Sequence, residues 1–303
     1  MRDLLLVTGI TGHSGSFFLR ELVKNQYPGQ IRCIVRSTSD ASELDGCPLK
    51  IDKRIGDLRD QEFLNRTLQG VETVLHIGSI FYSVNLVKAA LANHVKRAIL
   101  VHTTGIYSKH KSASAEYQTI ESDIKTLSEK DPCKMGIVYL RPTMIFGRLQ
   151  DKNISVFIRM IDKLRIFPVV GGGRSLIQPV NGRDLGKAYY QLLTKPEIMT
   201  GDYILSGEKP LATSGVFQMI SGLLGKQTTF LSVPLTLSVL VARTIKSLTL
   251  GKIDLVEKVQ RMGEDRSFSH DAAFRDFGYA PMPFAEGLRI EVEEYIRAKA
   301  ARP

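Results

Sequence analysis

Three glycines at three-residue spacing, Gly9, Gly12 and Gly15, lie within Thr8-Gly9-Ile10-Thr11-Gly12-His13-Ser14-Gly15, directly after an apolar run over 4–7. These residue types suit one task, the capture of a pyrophosphate. Gly9 permits backbone angles that a side chain forbids, Gly12 lets phosphate approach the main chain, and Gly15 lets a helix pack closely on a sheet. The first amides of that helix then point at the anion. Thr11, His13 and Ser14 complete the loop and are candidate contacts. A glycine triplet alone is weak evidence; a strand before it and a helix after it make it a dinucleotide cradle.

The rest of the chain supplies such elements. Apolar runs rich in Val, Ile and Leu recur at 31–35, 73–77, 98–101 and 136–140, with a shorter one at 50–55. Continuous runs of this kind suit parallel strands buried on both faces, with helices as crossovers. Helical patterning falls at 14–25, 60–68, 84–93 and 115–129, so the expected architecture is a doubly wound parallel α/β sheet. After about residue 147 the alternation is lost. A second, smaller and mostly helical region is expected, with helices at 214–224, 234–248, 254–262, 270–277 and 284–298. The expected division is 1–168 for the dinucleotide-binding domain, with 178–206 returning to it, and 169–303 mainly for substrate.

The motif T-G-x-T-G-x-x-G resembles the extended and atypical branches of the short-chain dehydrogenase/reductase superfamily, which includes the NAD-dependent epimerase/dehydratase group. The match runs on through Tyr203-Ile204-Leu205-Ser206-Gly207 to Phe277-Gly278-Tyr279-Ala280-Pro281. The resemblance implies a Rossmann-type sheet and a nicotinamide cofactor. Arg36, in Ile34-Val35-Arg36-Ser37-Thr38, stands where a carboxylate would select NAD(H); a cation there, with Ser37, favours the 2′-phosphate of NADP(H), and NAD(H) stays open. A surface arginine is the plain alternative. Gly56-Asp57-Leu58-Arg59-Asp60 resembles the segment that lies near the adenine, which implicates Asp57 and Leu58, while Asp60 could cap the next helix. Gly78 and Ser79 are implied contacts beside a packed His76, and Thr103, Arg141 and Pro142 complete the implied cofactor set.

In this superfamily a phenol, a lysine four residues later and a Ser or Thr serve hydride transfer. Here Thr103-Thr104-Gly105-Ile106-Tyr107 resembles the hydroxyl-bearing element, so Thr104 takes the orienting role. Tyr117 takes the phenol's, as a catalytic group and a cofactor contact. Glu121 stands at the lysine position. A carboxylate one helical turn from a phenol raises its pKa where lysine lowers it. Two roles stay open for the group: Glu121 as general base, or Lys125, one turn further on, either lending its charge to the ribose or pairing with Glu121. Two marks of sugar-nucleotide epimerases are missing, with Met144 at an asparagine position and Ile177 at an arginine position. Arg148, Arg174 and Arg183 are candidates to replace the latter.

With 303 residues, 43% of them hydrophobic, the chain can bury a large core. The net charge of +10 is dispersed, apart from Lys109-His110-Lys111 and residues 159–165. No nucleic-acid reader motif is present, so the charge reads as solvated faces plus an anionic ligand. Three scattered cysteines suggest neither a disulfide framework nor a metal site, and the start of the chain leaves no room for a signal sequence; a cytoplasmic protein is expected. The apolar run 230–242 is too short to span a bilayer and is broken by Pro234, which leaves a core or lid helix, or a membrane or partner contact. Three functional readings follow. The first is an NADP(H)-dependent oxidoreductase or epimerase-like enzyme on a small hydroxyl or carbonyl compound, with a homodimer implied by the resemblance. The others are a cofactor-binding redox sensor or assembly factor without turnover, and a nucleotide-sugar epimerase.

Overall fold

A computed structural model describes residues 4–110 and 112–301; the first three residues and Lys111 of the basic trio lie outside the described residues. Seven parallel strands form the central sheet: β1 (Leu4–Thr8), β2 (Gln30–Val35), β3 (Ile51–Ile55), β4 (Thr73–His76), β5 (Arg97–Val101), β6 (Gly136–Pro142) and, after four short strands, β11 (Gly201–Leu205). Their order is β11-β6-β5-β4-β1-β2-β3, so the winding reverses between β1 and β4. Thr8 pairs with Ile34 on one side and His76 on the other, which aligns the ends of β1, β2 and β4 at that reversal. Ligands of open α/β sheets bind in the crevice this creates.

The apolar runs are continuous because both faces are covered. In β1, Leu5 and Val7 join a core with Phe18 and Leu22 of α1 (His13–Lys24) and Tyr189 of α7 (Gly182–Leu193). Leu6 faces the opposite core. That side is built on α3 (Gln61–Thr67), α4 (Ser83–Ala92) and α5 (Ser112–Glu129), through Leu64, Leu86 and Ile124; the short α2 (Ser42–Asp45) lies between β2 and β3. Asp60 caps α3 by accepting from the Phe63 amide at 3.0 Å, the structural role weighed for it.

The second region has its own core of Phe146, Ile158, Phe167, Phe217, Phe284 and Leu288. It draws on β7 (Ile145–Phe146), α6 (Ile154–Lys163), β8 (Ile166–Val170), β13 (Thr229–Val233), α8 (Thr213–Leu223) and α12 (Phe284–Ala300). Three small strands complete it: β9 (Leu176–Ile177) and β10 (Val180–Asn181), which break around Gln178-Pro179, and β12 (Leu211–Ala212). Neither α6 nor α7 was expected. The run 230–242 also divides: residues to Val233 pair as a strand with β8, and Pro234, with φ −53°, starts α9 (Leu235–Leu248). Proline lacks the N–H that a strand interior uses but fits a helix start. Far from being a core helix, α9 buries only Ala242 and packs on α10 (Val256–Arg261). The last of the set, α11 (Asp271–Phe277), packs back against β11.

Candidate active site

The glycine turn has the geometry its spacing implies. Gly9 sits at φ +75°, and a Cβ there would lie 2.7 Å from the Gly78 amide nitrogen; one on Gly15 would lie 2.1 Å from the Gly9 carbonyl oxygen. Gly12 precedes α1 in an extended conformation and offers no side chain to cap it. The positive end of α1 therefore opens toward the crevice. Behind it runs a chain of hydrogen bonds. The Gly78 amide donates to Thr8 Oγ1 (3.4 Å), Thr8 Oγ1 lies 2.6 Å from His76 Nδ1, and His76 Nε2 lies 3.1 Å from the Ser79 carbonyl. Burial pushes the His76 pKa down to about 4, so the ring is neutral, and the network places its proton on Nε2. His76 is a strut that holds the β4 loop against the glycine turn.

Two side chains of the expected cofactor set turn away from the cleft. His13 Nε2 contacts the Phe146 carbonyl (3.2 Å), and the buried Ser14 hydroxyl accepts from Tyr189 (3.2 Å). These residues can offer phosphate only their amides. Arg36 and Ser37 are exposed just beyond the end of β2, and Thr11 and Leu58 are half-buried. Arg59 grips Asp57 through both carboxylate oxygens, and these hydrogen bonds hold its pKa down to about 2.

Thr104 and the pair Glu121 and Lys125, expected to act together, fall in separate depressions. Thr104 donates to the Pro142 carbonyl (3.3 Å) and, with Thr103, lines a cleft of about 350 Å³ at the strand ends. Thr103 accepts from the Gly105 amide at 2.9 Å. Glu121, Lys125 and Arg141 line a different depression, beside α5 and Asp202. Glu121 accepts from His102 Nδ1 (2.8 Å) and from both terminal nitrogens of Arg141 (2.6 and 2.9 Å); Arg141 also donates to Asp202 (2.6 and 2.8 Å). Burial alone would raise the Glu121 pKa, but the bonds from His102 and Arg141 prevail and hold it at about 2. That corrects the reading of Glu121 as a general base, since a carboxylate so held takes no proton near neutrality. Burial lowers the His102 pKa against the raising effect of its hydrogen bond to Glu121.

The guanidinium of Arg141, whose side chain is 4% exposed, is committed to the two carboxylates. Lys125 is 77% exposed and 3.9 Å from Glu129 rather than paired with Glu121. Tyr117 is half-buried on α5 with its ring 5.7 Å from Phe81. Tyr107, exposed, rests on Phe268 at 5.8 Å.

Two residues that sequence reasoning missed stand at the cleft wall. Arg261 and Arg266 line the same cleft as Thr104, and among the described residues neither buried Nε has a hydrogen-bond partner. Burial, with Arg261 nearby, lowers the Arg266 pKa. Two unsatisfied guanidinium donors facing a cleft are an anion-binding arrangement. The available signal was their five-residue spacing around Gly263. Two of the three arginines considered instead are engaged elsewhere: Arg148 and Arg183 stack on Phe17 (5.2 and 4.8 Å), and Arg183 pairs with Glu294. Met144 and Ile177 line the cleft with apolar surface where epimerases of the resembled group carry polar groups.

Residues 9–130 match a family model described as NAD(P)H-binding. The chain carries an NAD(P)H-binding domain. It is 24% identical over 236 residues to an NAD(P)H azoreductase of Xenophilus azovorans, covering 77% of this chain and 78% of that protein. Over 71 residues it is 39% identical to sterol demethylase protein B of Methylococcus capsulatus, 23% of this chain and only 20% of that protein's length. The Citrobacter sp. triphenylmethane reductase complexed with NADP(H) superposes with TM-score 0.72 at 19% identity, over 94% of this chain and 99% of that one. UDP-glucose 4-epimerase of Thermotoga maritima gives 0.73 at 16%, over 98% and 99%. The fold is shared with both a reductase and an epimerase.

Proposed function

We propose that this protein is an NADP(H)-dependent oxidoreductase acting on a small carbonyl or hydroxyl compound that bears an anionic group. The observation that carries this reading is the pair of arginines, Arg261 and Arg266, that line the cleft also holding Thr104 and each keep a buried Nε without a partner. The bound nicotinamide would supply or accept hydride. Thr104 orients the substrate oxygen, Tyr117 handles its proton, and the arginines anchor the anion while Met144 and Ile177 cover apolar substrate surface. Arg36 and Ser37, exposed at the adenosine end, suit a 2′-phosphate.

Calorimetry should show tighter binding of NADPH than of NADH, with the preference reversed by Arg36→Glu. Coenzyme oxidation with phosphorylated and carboxylated carbonyl compounds should then show turnover. Arg266→Ala should raise KM by about ten-fold or more with kcat little changed, the signature of lost ground-state binding. A specific observation favours a second reading, a cofactor-dependent regulator: the lysine position holds a carboxylate that is ionised and fully paired. Coenzyme binding without turnover on any such compound would decide for it.

A further inference from the structure

The helical pair α9 and α10 carries the largest concentration of exposed leucine in the molecule. Leu237, Leu240, Val241 and Leu248 are 49, 61, 50 and 80% exposed. Their spacing, i, i+3, i+4 and i+11, puts them on one stripe of α9. The turn beyond α9 adds Leu250, 90% exposed, and Ile253, 48% exposed. Leu250 takes φ +49° in the turn that closes α9, where its amide donates to Ser247 and that of Gly251 to Lys246. These side chains add little to the core, since α9 buries only Ala242 and packs on α10.

Around the stripe bases outnumber acids. Residues 230–262 hold five bases, Arg243, Lys246, Lys252, Lys258 and the cleft-lining Arg261, against Asp254 and Glu257. Lys246 pairs with Asp254 at 2.7 Å, whereas Arg243, Lys252 and Lys258 are exposed. A second copy docking here by two-fold symmetry would set these bases against their own counterparts. An apolar stripe flanked by bases instead matches the boundary of an anionic bilayer, where leucines enter the acyl region and cations meet the headgroups. No helix among the described residues is long and apolar enough to cross a membrane, so α9 would lie in the surface plane.

We infer that the α9–α10 hairpin docks the protein onto anionic phospholipid bilayers. The inference does not depend on the substrate proposed for the cleft. The full chain should sediment with equimolar phosphatidylcholine–phosphatidylglycerol vesicles about ten-fold more than with phosphatidylcholine alone, and high salt should weaken that binding. Replacing Leu240, Leu248 and Leu250 with Asp should abolish sedimentation while NADPH binding and circular dichroism stay unchanged. Because the chain contains no tryptophan, Leu250→Trp provides a second readout within one folded protein: its emission should shift to the blue with anionic vesicles. Absence of both sedimentation and shift overturns the inference. So does sedimentation that survives the leucine changes, or a concentration-dependent dimer that those changes dissolve, which would assign the stripe to a second copy.

Discussion

Glu121 shows how one residue can hold a family position while serving a different physical end. A lysine there would work on the phenol and the ribose; the carboxylate instead ties β5 to β6 through His102 and Arg141, with Asp202 bracing the guanidinium from β11. Arg141 is nearly inaccessible, so removing its principal partner leaves a buried charge half-compensated. Glu121→Gln should therefore destabilise the protein by about 3 kcal/mol, read from urea midpoints. Restoring the family residue by Glu121→Lys should be worse than Gln, because it sets a second cation against Arg141. A stable, more active Lys variant would show that the network is dispensable and that Glu121 only displaced a catalytic lysine.

At the level of elements, the site depends on the contact between the first helix and the turn that precedes it. The Gly15 position has no space for a methyl group, with the Gly9 carbonyl at 2.1 Å and Ile10 Cα at 2.8 Å from an added Cβ. Both obstacles are backbone, so Gly15→Ala must move α1. The expected cost is about 1–3 kcal/mol of stability, typical of overpacking. Coenzyme affinity should fall further than stability does, by more than about ten-fold, because the α1 amides lose their aim. Calorimetry and thermal denaturation on the same sample separate the two effects. Gly70, with φ +74° but open space around it, is the control: its alanine variant is strained in the backbone yet leaves coenzyme binding intact.

Across the whole molecule, the last helix is joined to the sheet by buried carboxyls. Glu291 of α12 is fully buried, and its Oε2 accepts from the Gly147 amide at 2.9 Å. Its Oε1 and Asp151 Oδ2 are buried with no other partner, so a proton shared between the two carboxyls is the arrangement that satisfies both; burial first, then the Asp151 charge, push the Glu291 pKa up to about 9. The folded protein thus holds a proton here that the unfolded chain releases above its ordinary value near pH 4.5. This contribution is complete below that pH and is lost as pH rises toward 9, with a slope on the order of 1 kcal/mol per unit. Glu291→Gln keeps a donor toward Asp151 and an acceptor for Gly147 without the titration. Relative to wild type, its urea stability should gain steadily between about pH 5 and pH 9; parallel profiles would show that Glu291 is ionised in the fold.

What the residues determined by themselves was local. The glycine spacing prescribed a phosphate turn, since backbone angles and close approach are properties of adjacent positions. The apolar runs prescribed parallel strands, since burial on both faces leaves no alternation. The cap of α3 at Asp60 and the break at Pro234 belong to the same kind of information. Tertiary structure decided what depends on residues far apart in the chain. Spacing placed Glu121 near Tyr117, but only folding brings Arg141 and Asp202, 20 and 61 residues from their partners, to claim the charges. Folding likewise sets Arg261 and Arg266 opposite Thr104 and leaves α9 with an uncovered face. Which groups end up paired is settled by the geometry of packing, and pairing decides whether a charged side chain holds the fold together or remains available to a ligand.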